Sequence, residues 1–265
     1  DHQVRLAATN EGYTSFSLRF LTEVGGQERS TVLVCFDPSC QQISFNCLQV
    51  RRGSNVINRL QPEAFKILQR ERDLEWRVLD GTLSVVATLD DIRVGDVLEY
   101  AFTIRGDNPV FEGRYADGYF LQWSSFVEKQ RLQVQAPAGR KLRWKRNGGL
   151  PEPSQTVKDG IAETMWIMDN VEPVHIDSGL PSWHRPFASV DFSEYGDWAD
   201  VAGWAAKQYT HAFGAPPAIL GPEMTAWRNL PEFGFRSSLA TWLYTIARNV
   251  ATDENRRAHR SHETA

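Results

Sequence analysis

Apolar and polar residues alternate along most of the first 170 positions, and a period of two marks half-buried strands rather than helices. The clearest run is Val97–Ile104, with Leu98, Tyr100, Phe102 and Ile104 on one face and Val97, Glu99, Ala101 and Thr103 on the other. Turn chemistry bounds it: Gly95-Asp96 precedes it and Gly106-Asp107-Asn108-Pro109 follows. Glycine accepts positive φ, Asp and Asn bond their own backbone, and proline fixes φ. The same pattern predicts strands over Tyr13–Leu21, Thr31–Phe36, Ile43–Val50, Glu75–Val78, Leu83–Leu89, Phe126–Ala136, Lys141–Lys145 and Glu163–Met168. Gly25-Gly26, Asp37-Pro38, Gly53-Ser54, Asp80-Gly81 and Pro137-Ala138-Gly139 punctuate them. The expected fold class is mainly β, an antiparallel β-sandwich or large twisted sheet, followed by a short C-terminal helical segment. Pro62–Arg72 interrupts the strands, either as a helix carrying Ala64, Phe65 and Leu68 at helical spacing or as a single helical turn.

The period changes towards the C-terminus. In Asp197–Ala212, Trp198, Val201, Ala202, Ala205, Tyr209 and Ala212 recur near every 3.6 residues, and Asp197 is placed to cap the free amides of the first turn. Gly214, Pro216 and Pro217 end that helix; Pro222–Arg228 reads as a short helix, and Ser238–Val250 as a second amphipathic one. The expected organisation is a β domain over 1–170, an extended, proline-rich connector over 171–196, a helical segment over 197–251 and a disordered tail over 252–265.

Composition narrows the function classes. With 42% hydrophobic and 23% charged residues, the chain has the makeup of a globular protein able to build a sizeable core. A net charge of −4 gives no broad basic field for nucleic acid, so nucleic-acid binding is disfavoured. The local basic run Arg140–Arg146 reads as a strand that turns Leu142 and Trp144 inward and Lys141, Arg143 and Lys145 to solvent. No run of eighteen apolar residues spans a membrane, and no secretory leader is visible. Cys35, Cys40 and Cys47 match no zinc spacing, so no metal is expected; they read as inert thiols, with one disulfide left open.

Walker, Rossmann, nucleophile-elbow and HExxH patterns are all absent, which removes the usual sequence support for nucleotide, hydride, esterase and zinc-protease chemistry; no cofactor is expected. Arg105-Gly106-Asp107 spells an adhesion tripeptide, but a turn accounts for its Gly and Asp. His175, Asp177 and His184 are the nearest approach to a catalytic set, yet they lie in the connector, far in sequence from every cysteine. Ringed side chains in polar contexts make Trp123, Trp144, Trp183 and His184 the candidate binding residues.

Phe36-Asp37-Pro38, Leu79-Asp80-Gly81, Ile92–Glu99, Arg105–Val110 and Pro137-Ala138-Gly139, with Pro181-Ser182-Trp183, Val190–Ser193 and Asp197-Trp198 after them, occur in order over roughly Val4 to Trp204. Together they resemble the uncharacterised β domain that precedes the transglutaminase-like (papain-like) domain in many bacterial proteins. The resemblance implies a bacterial protein of the periplasm or membrane surface, and a Gly-Asp-Cys nucleophile segment followed by His and Asp. The 265 residues contain no Gly-Asp-Cys, so no catalytic residue is assigned. The stretch Phe235–Val250 with Asp253 and Arg256-Arg257 instead resembles a short piece of a bacterial sigma factor, read as a fused or disrupted end.

The leading expectation is a non-catalytic accessory domain, structural or substrate-positioning, of a transglutaminase-like cysteine hydrolase or acyltransferase. The alternatives are a stand-alone peptide- or glycan-binding β module, or one half of a split enzyme whose Ser238–Val250 helix docks on a partner chain. The partner expected for the chain is a protein or a peptide.

Overall fold

The computed structural model describes residues 1–69, 81–176, 179 and 184–213. It divides into two compact units, and the division does not follow the sequence. The first comprises 1–115, 126–143 and 149–171; the second comprises 116–125, 144–148 and 172–265. Two short stretches inside the expected β domain therefore belong to the second unit.

The first unit is a two-layer β structure. Its larger sheet has eight strands: β1 (His2–Arg5), β2 (Glu11–Arg19), β4 (Gln41–Arg52), β5 (Asn55–Asn58), β8 (Val97–Gly106), β10 (Val127–Pro137), β12 (Ser154–Lys158) and β13 (Ile161–Val171). They run in the order β12-β13-β10-β1-β2-β8-β4-β5. The paired neighbours are antiparallel except β1 and β10, which run parallel with Val4 opposite Val134. The smaller sheet, in order β3-β7-β6, consists of β3 (Thr31–Phe36), β6 (Phe65–Gln69) and β7 (Leu83–Thr88).

Phe20, Val32, Val34, Leu48, Val50, Ala87, Leu89 and Leu98 form a core shared by the two sheets, with Tyr100, Phe102 and Ile104 packed against it. The face of β8 read as apolar is thus the core face. Tyr100 stacks on Phe16 at 4.9 Å, and burial pushes its phenol up to about 12. On β4 the alternation breaks at a bulge between Phe45 and Cys47. Ile43 and Phe45 before it and Leu48 and Val50 after it all face the core, because one extra residue reverses the parity of every later side chain.

Of the two readings of the Pro62 segment, the single turn holds: it is a 3-10 turn, Pro62–Ala64, that runs straight into strand β6. Two expectations do not hold. Gly25-Gly26 is no inter-strand turn but lies inside α1 (Glu23–Arg29), whose cap is Thr22 accepting the Gly25 amide at 3.0 Å. The connector over 171–196 holds a sheet strand, β14 (Ser189–Ser193), because Val190 and Phe192 bury one face. The helix read at Asp197–Ala212 is α2 (Trp198–Phe213), and Asp197 accepts the Asp200 amide at 2.9 Å as its cap. The strand read at Glu75–Val78, the helices at Pro222–Arg228 and Ser238–Val250, and the tail lie outside the described residues.

The motif before β8 is held by a polar network. Arg93–Asp96 is a tight turn closed by the Asp96 amide on the Arg93 carbonyl at 3.0 Å, with Gly95 at φ 91°. The Asp96 side chain is 2% exposed. It accepts from Arg52 Nε at 2.9 Å, Arg52 Nη2 at 2.8 Å and the Arg93 amide at 2.9 Å, and the Arg52 bonds hold its carboxyl below the ordinary range. Asp91 extends the network. Bonds from Arg93 and then Arg52 bring its carboxyl down to about 2.

At the far end of β8, Gly106 has φ 134°, and a Cβ there would overlap the Cys40 carbonyl oxygen. Asp107 accepts from the Asn10 amide at 3.0 Å and from its side-chain nitrogen, while Asn108 caps the 3-10 turn Pro109–Phe111 at 3.0 Å. The adhesion-like tripeptide is accounted for by these structural roles.

Asp96→Asn removes the charge that Arg52 is arranged around and should cost about 3 kcal/mol in urea unfolding, the lower end for a buried pair because Arg52 keeps some solvent contact. The carboxyl's folded value lies below its unfolded value of 3.8, so its contribution is complete above about pH 4 and fades as pH falls through the folded value. The loss of stability below pH 4 should be shallower in Asp96→Asn than in the wild type. Gly106→Ala, which meets backbone rather than a movable side chain, should lower the melting temperature more than Gly95→Ala, where the added methyl meets open space and only the positive φ costs.

Candidate functional site

The second unit contains a three-stranded sheet in the order β11-β14-β9, formed by β9 (Ala116–Phe120), β11 (Arg143–Asn147) and β14. Along β14, Val190 and Phe192 are buried, and Tyr119 meets the Phe192 ring edge-on at 6.1 Å. The alternate positions, Ser189 and Asp191, therefore sit on the opposite face. In the β9 pairing Asp191 lies opposite Gly118 and Ser189 opposite Phe120.

Asp191 is the centre of that face. Its Oδ2 accepts from Asn147 Nδ2 at 2.8 Å and from Arg185 Nη1 at 2.9 Å. The carboxylate leans across the bare Cα of Gly118, where an added Cβ would sit 2.8 Å from Asp191 Oδ1. Glycine here makes room for a side chain from the neighbouring strand. Phe120 is 52% exposed and meets Phe187 edge-on at 6.1 Å, and Ser189 is buried.

Asp117 belongs to the other face, since it pairs with Phe192 rather than Asp191. Loss of water around its carboxyl raises it above the ordinary range although the residue as a whole is exposed, and the Asp191 charge acts in the same direction, against bonds from the Tyr119 hydroxyl at 2.8 Å and the Gly118 amide at 2.8 Å. With one carboxyl on each face, the pair does not make a shared-proton dyad.

The structure brings three of the four candidate binding residues into this second unit. Trp144 is half-buried on the inner side of β11, with the Arg146 guanidinium 5.9 Å over its ring. Leu142 is half-buried and Lys141, Arg143 and Lys145 are exposed, as the alternation of the basic run required. Trp123 is half-buried, and its carbonyl accepts the Val174 amide at 2.9 Å. His184 and His175 are exposed. Trp183 and Asp177 lie outside the described residues. Sequence reasoning missed Asn147, Arg185 and Asp191, although Val190–Ser193 carries an alternation that could have flagged its strand.

The cysteines lie in the first unit and form no disulfide. Burial pushes the Cys40 and Cys47 thiols up, with carboxylates adding to the effect, so both favour the protonated, weakly nucleophilic form. Cys35 lies 3.3 Å from the Ser84 hydroxyl. Among the described residues no group of three or more His, Cys, Asp or Glu is placed to hold a metal ion, and no helix is long and apolar enough to cross a membrane. The arrangement on β14 offers hydrogen bonding and ring contact rather than a nucleophile.

A family model described as "Domain of Unknown Function with solved-structure structure (DUF3857)" matches residues 8–175. Among solved structures, the chain is similar to "a putative protease from Parabacteroides distasonis ATCC 8503", with a TM-score of 0.73 and 15% sequence identity. The similarity covers 95% of this chain and 48% of that one, so the chain spans about half the length of the Parabacteroides protein. No curated protein matches the chain in sequence. Gly118→Ala should push the Asp191 carboxylate aside and weaken its bonds to Asn147 and Arg185. The carboxylate can swing, so thermal unfolding should show a loss of only about 1 kcal/mol.

Proposed function

The chain belongs to the DUF3857 family, and from that premise we propose that it is a non-catalytic accessory domain of a transglutaminase-like cysteine hydrolase or acyltransferase. The single observation that carries this reading is the fold shared with one half of the Parabacteroides protein, with a TM-score of 0.73. Its role in such a protein is to support the catalytic domain or present substrate to it.

The chemistry of the chain supports this. It contains no Gly-Asp-Cys segment. Burial and nearby carboxylates hold Cys40 and Cys47 towards the thiol form. A cysteine nucleophile needs the opposite surroundings, an electropositive neighbour and a base within hydrogen-bond reach. The purified chain should therefore show no peptidase or transamidase turnover on casein or on a glutamine-donor peptide. Turnover that disappears on replacing Cys35, Cys40 or Cys47 would refute the reading.

A further inference from the structure

The outer face of the β11-β14-β9 sheet joins three features that the accessory role does not use. The first is an exposed ring, Phe120, at the end of β9. The second is a fixed polar group, in which Asn147 and Arg185 both donate to Asp191 while the heads of Arg185 and Asp191 remain 47% and 43% exposed. The third is the charge balance. Lys145 is exposed two residues from Asn147, and Arg143 is exposed two residues before that, both on the same face of β11 by strand parity, so with Arg185 the cations outnumber the carboxylate of Asp191 there. Gly118 keeps the strip between ring and polar group free of a side chain of its own.

We propose that this face binds a carboxylated polysaccharide, a polymer of uronate-type sugars. A sugar ring lays its C–H face on Phe120, as apolar surface does on an aromatic ring. Its hydroxyls exchange hydrogen bonds with Asp191 and Asn147, whose orientation is already set by their mutual bond and by Arg185. Its carboxylate answers the surplus positive charge of Lys145 and Arg185. An acidic peptide would satisfy the cations, but peptides that bind sheets characteristically pair along an edge. Here the chemistry lies on the face, beside a ring. The proposal is independent of the proteolytic association, since it would hold for a stand-alone module as well.

Affinity electrophoresis of the full chain through polygalacturonate tests it, with dextran as the neutral polysaccharide and poly-glutamate as the non-sugar polyanion. The expected result is retardation by polygalacturonate and none by dextran. Lys145→Glu should weaken retention at least fivefold and Phe120→Ala at least tenfold, with melting temperatures unchanged. Lys145→Glu alters an exposed side chain and decides the matter by itself if Phe120→Ala proves unstable. Absence of retardation, equal retention by dextran, retention indifferent to Lys145→Glu, or displacement by poly-glutamate as effective as by polygalacturonate would each overturn it.

Discussion

A carboxylate shut off from water must find all its hydrogen bonds within the protein, and Asp96 does so through Arg52 and the Arg93 amide. The geometry of that requirement sets much of the first unit. Arg52 ends β4 and Asp96 stands immediately before β8, so the pair fastens together one end of two neighbouring long strands whose register places Arg51 opposite Val97. Asp91, at φ 56°, brings in the connection from β7, which leads to the smaller sheet. At the other end of β8, Gly106 closes on the Cys40 carbonyl and Asp107 holds Asn10 before β2. With β8 tied at both ends and flanked by β2 and β4, its apolar face has one place to go, the core shared with β3 and β7.

The groups with chemical potential divide between the two units in a physically intelligible way. In the first unit, burial and then nearby carboxylates suppress the thiolate of Cys40 and Cys47. In the second unit a central strand carries buried Val190 and Phe192 on one side and Asp191 on the other, so a rigid sheet presents a fixed carboxylate outward. Binding surfaces gain from such support, because side chains already held by neighbours lose little freedom when a ligand arrives.

Legibility in the sequence tracked how local each signal was. Thr31–Phe36 emerged with the same ends in sequence and structure, and Val97–Ile104 to within two residues, because unbroken alternation between turn residues reports a half-buried strand directly. Short strands such as β5, β9 and β12 had no such pattern; every residue of Ser154–Lys158 is exposed, and it is a strand only because β13 lies beside it. The glycines of α1 misled for a related reason. Gly25-Gly26 has the composition of a turn, but a capping threonine and the packing of Gly26 towards Ile92 make it helix. Of the candidate site residues, the tryptophans drew notice for their size, whereas Asn147, Arg185 and Asp191 are ordinary until strand pairing and a loop bring them together.

The sequence by itself determined that this protein is mainly β, where its longer strands lie, that α2 opens on Asp197 as its cap, and which family motifs it carries. These properties were readable because periodicity, capping and turn chemistry act between residues a few positions apart. Only the tertiary structure decided that Arg52 neutralises Asp96, that β1 runs parallel to β10, that 116–125 and 144–148 join the second unit, and that Asp191 meets Asn147 and Arg185 over Gly118. Each of these joins residues whose proximity depends on strand order and register, or on a loop folding back over a sheet, and neither is encoded in the spacing of any single segment.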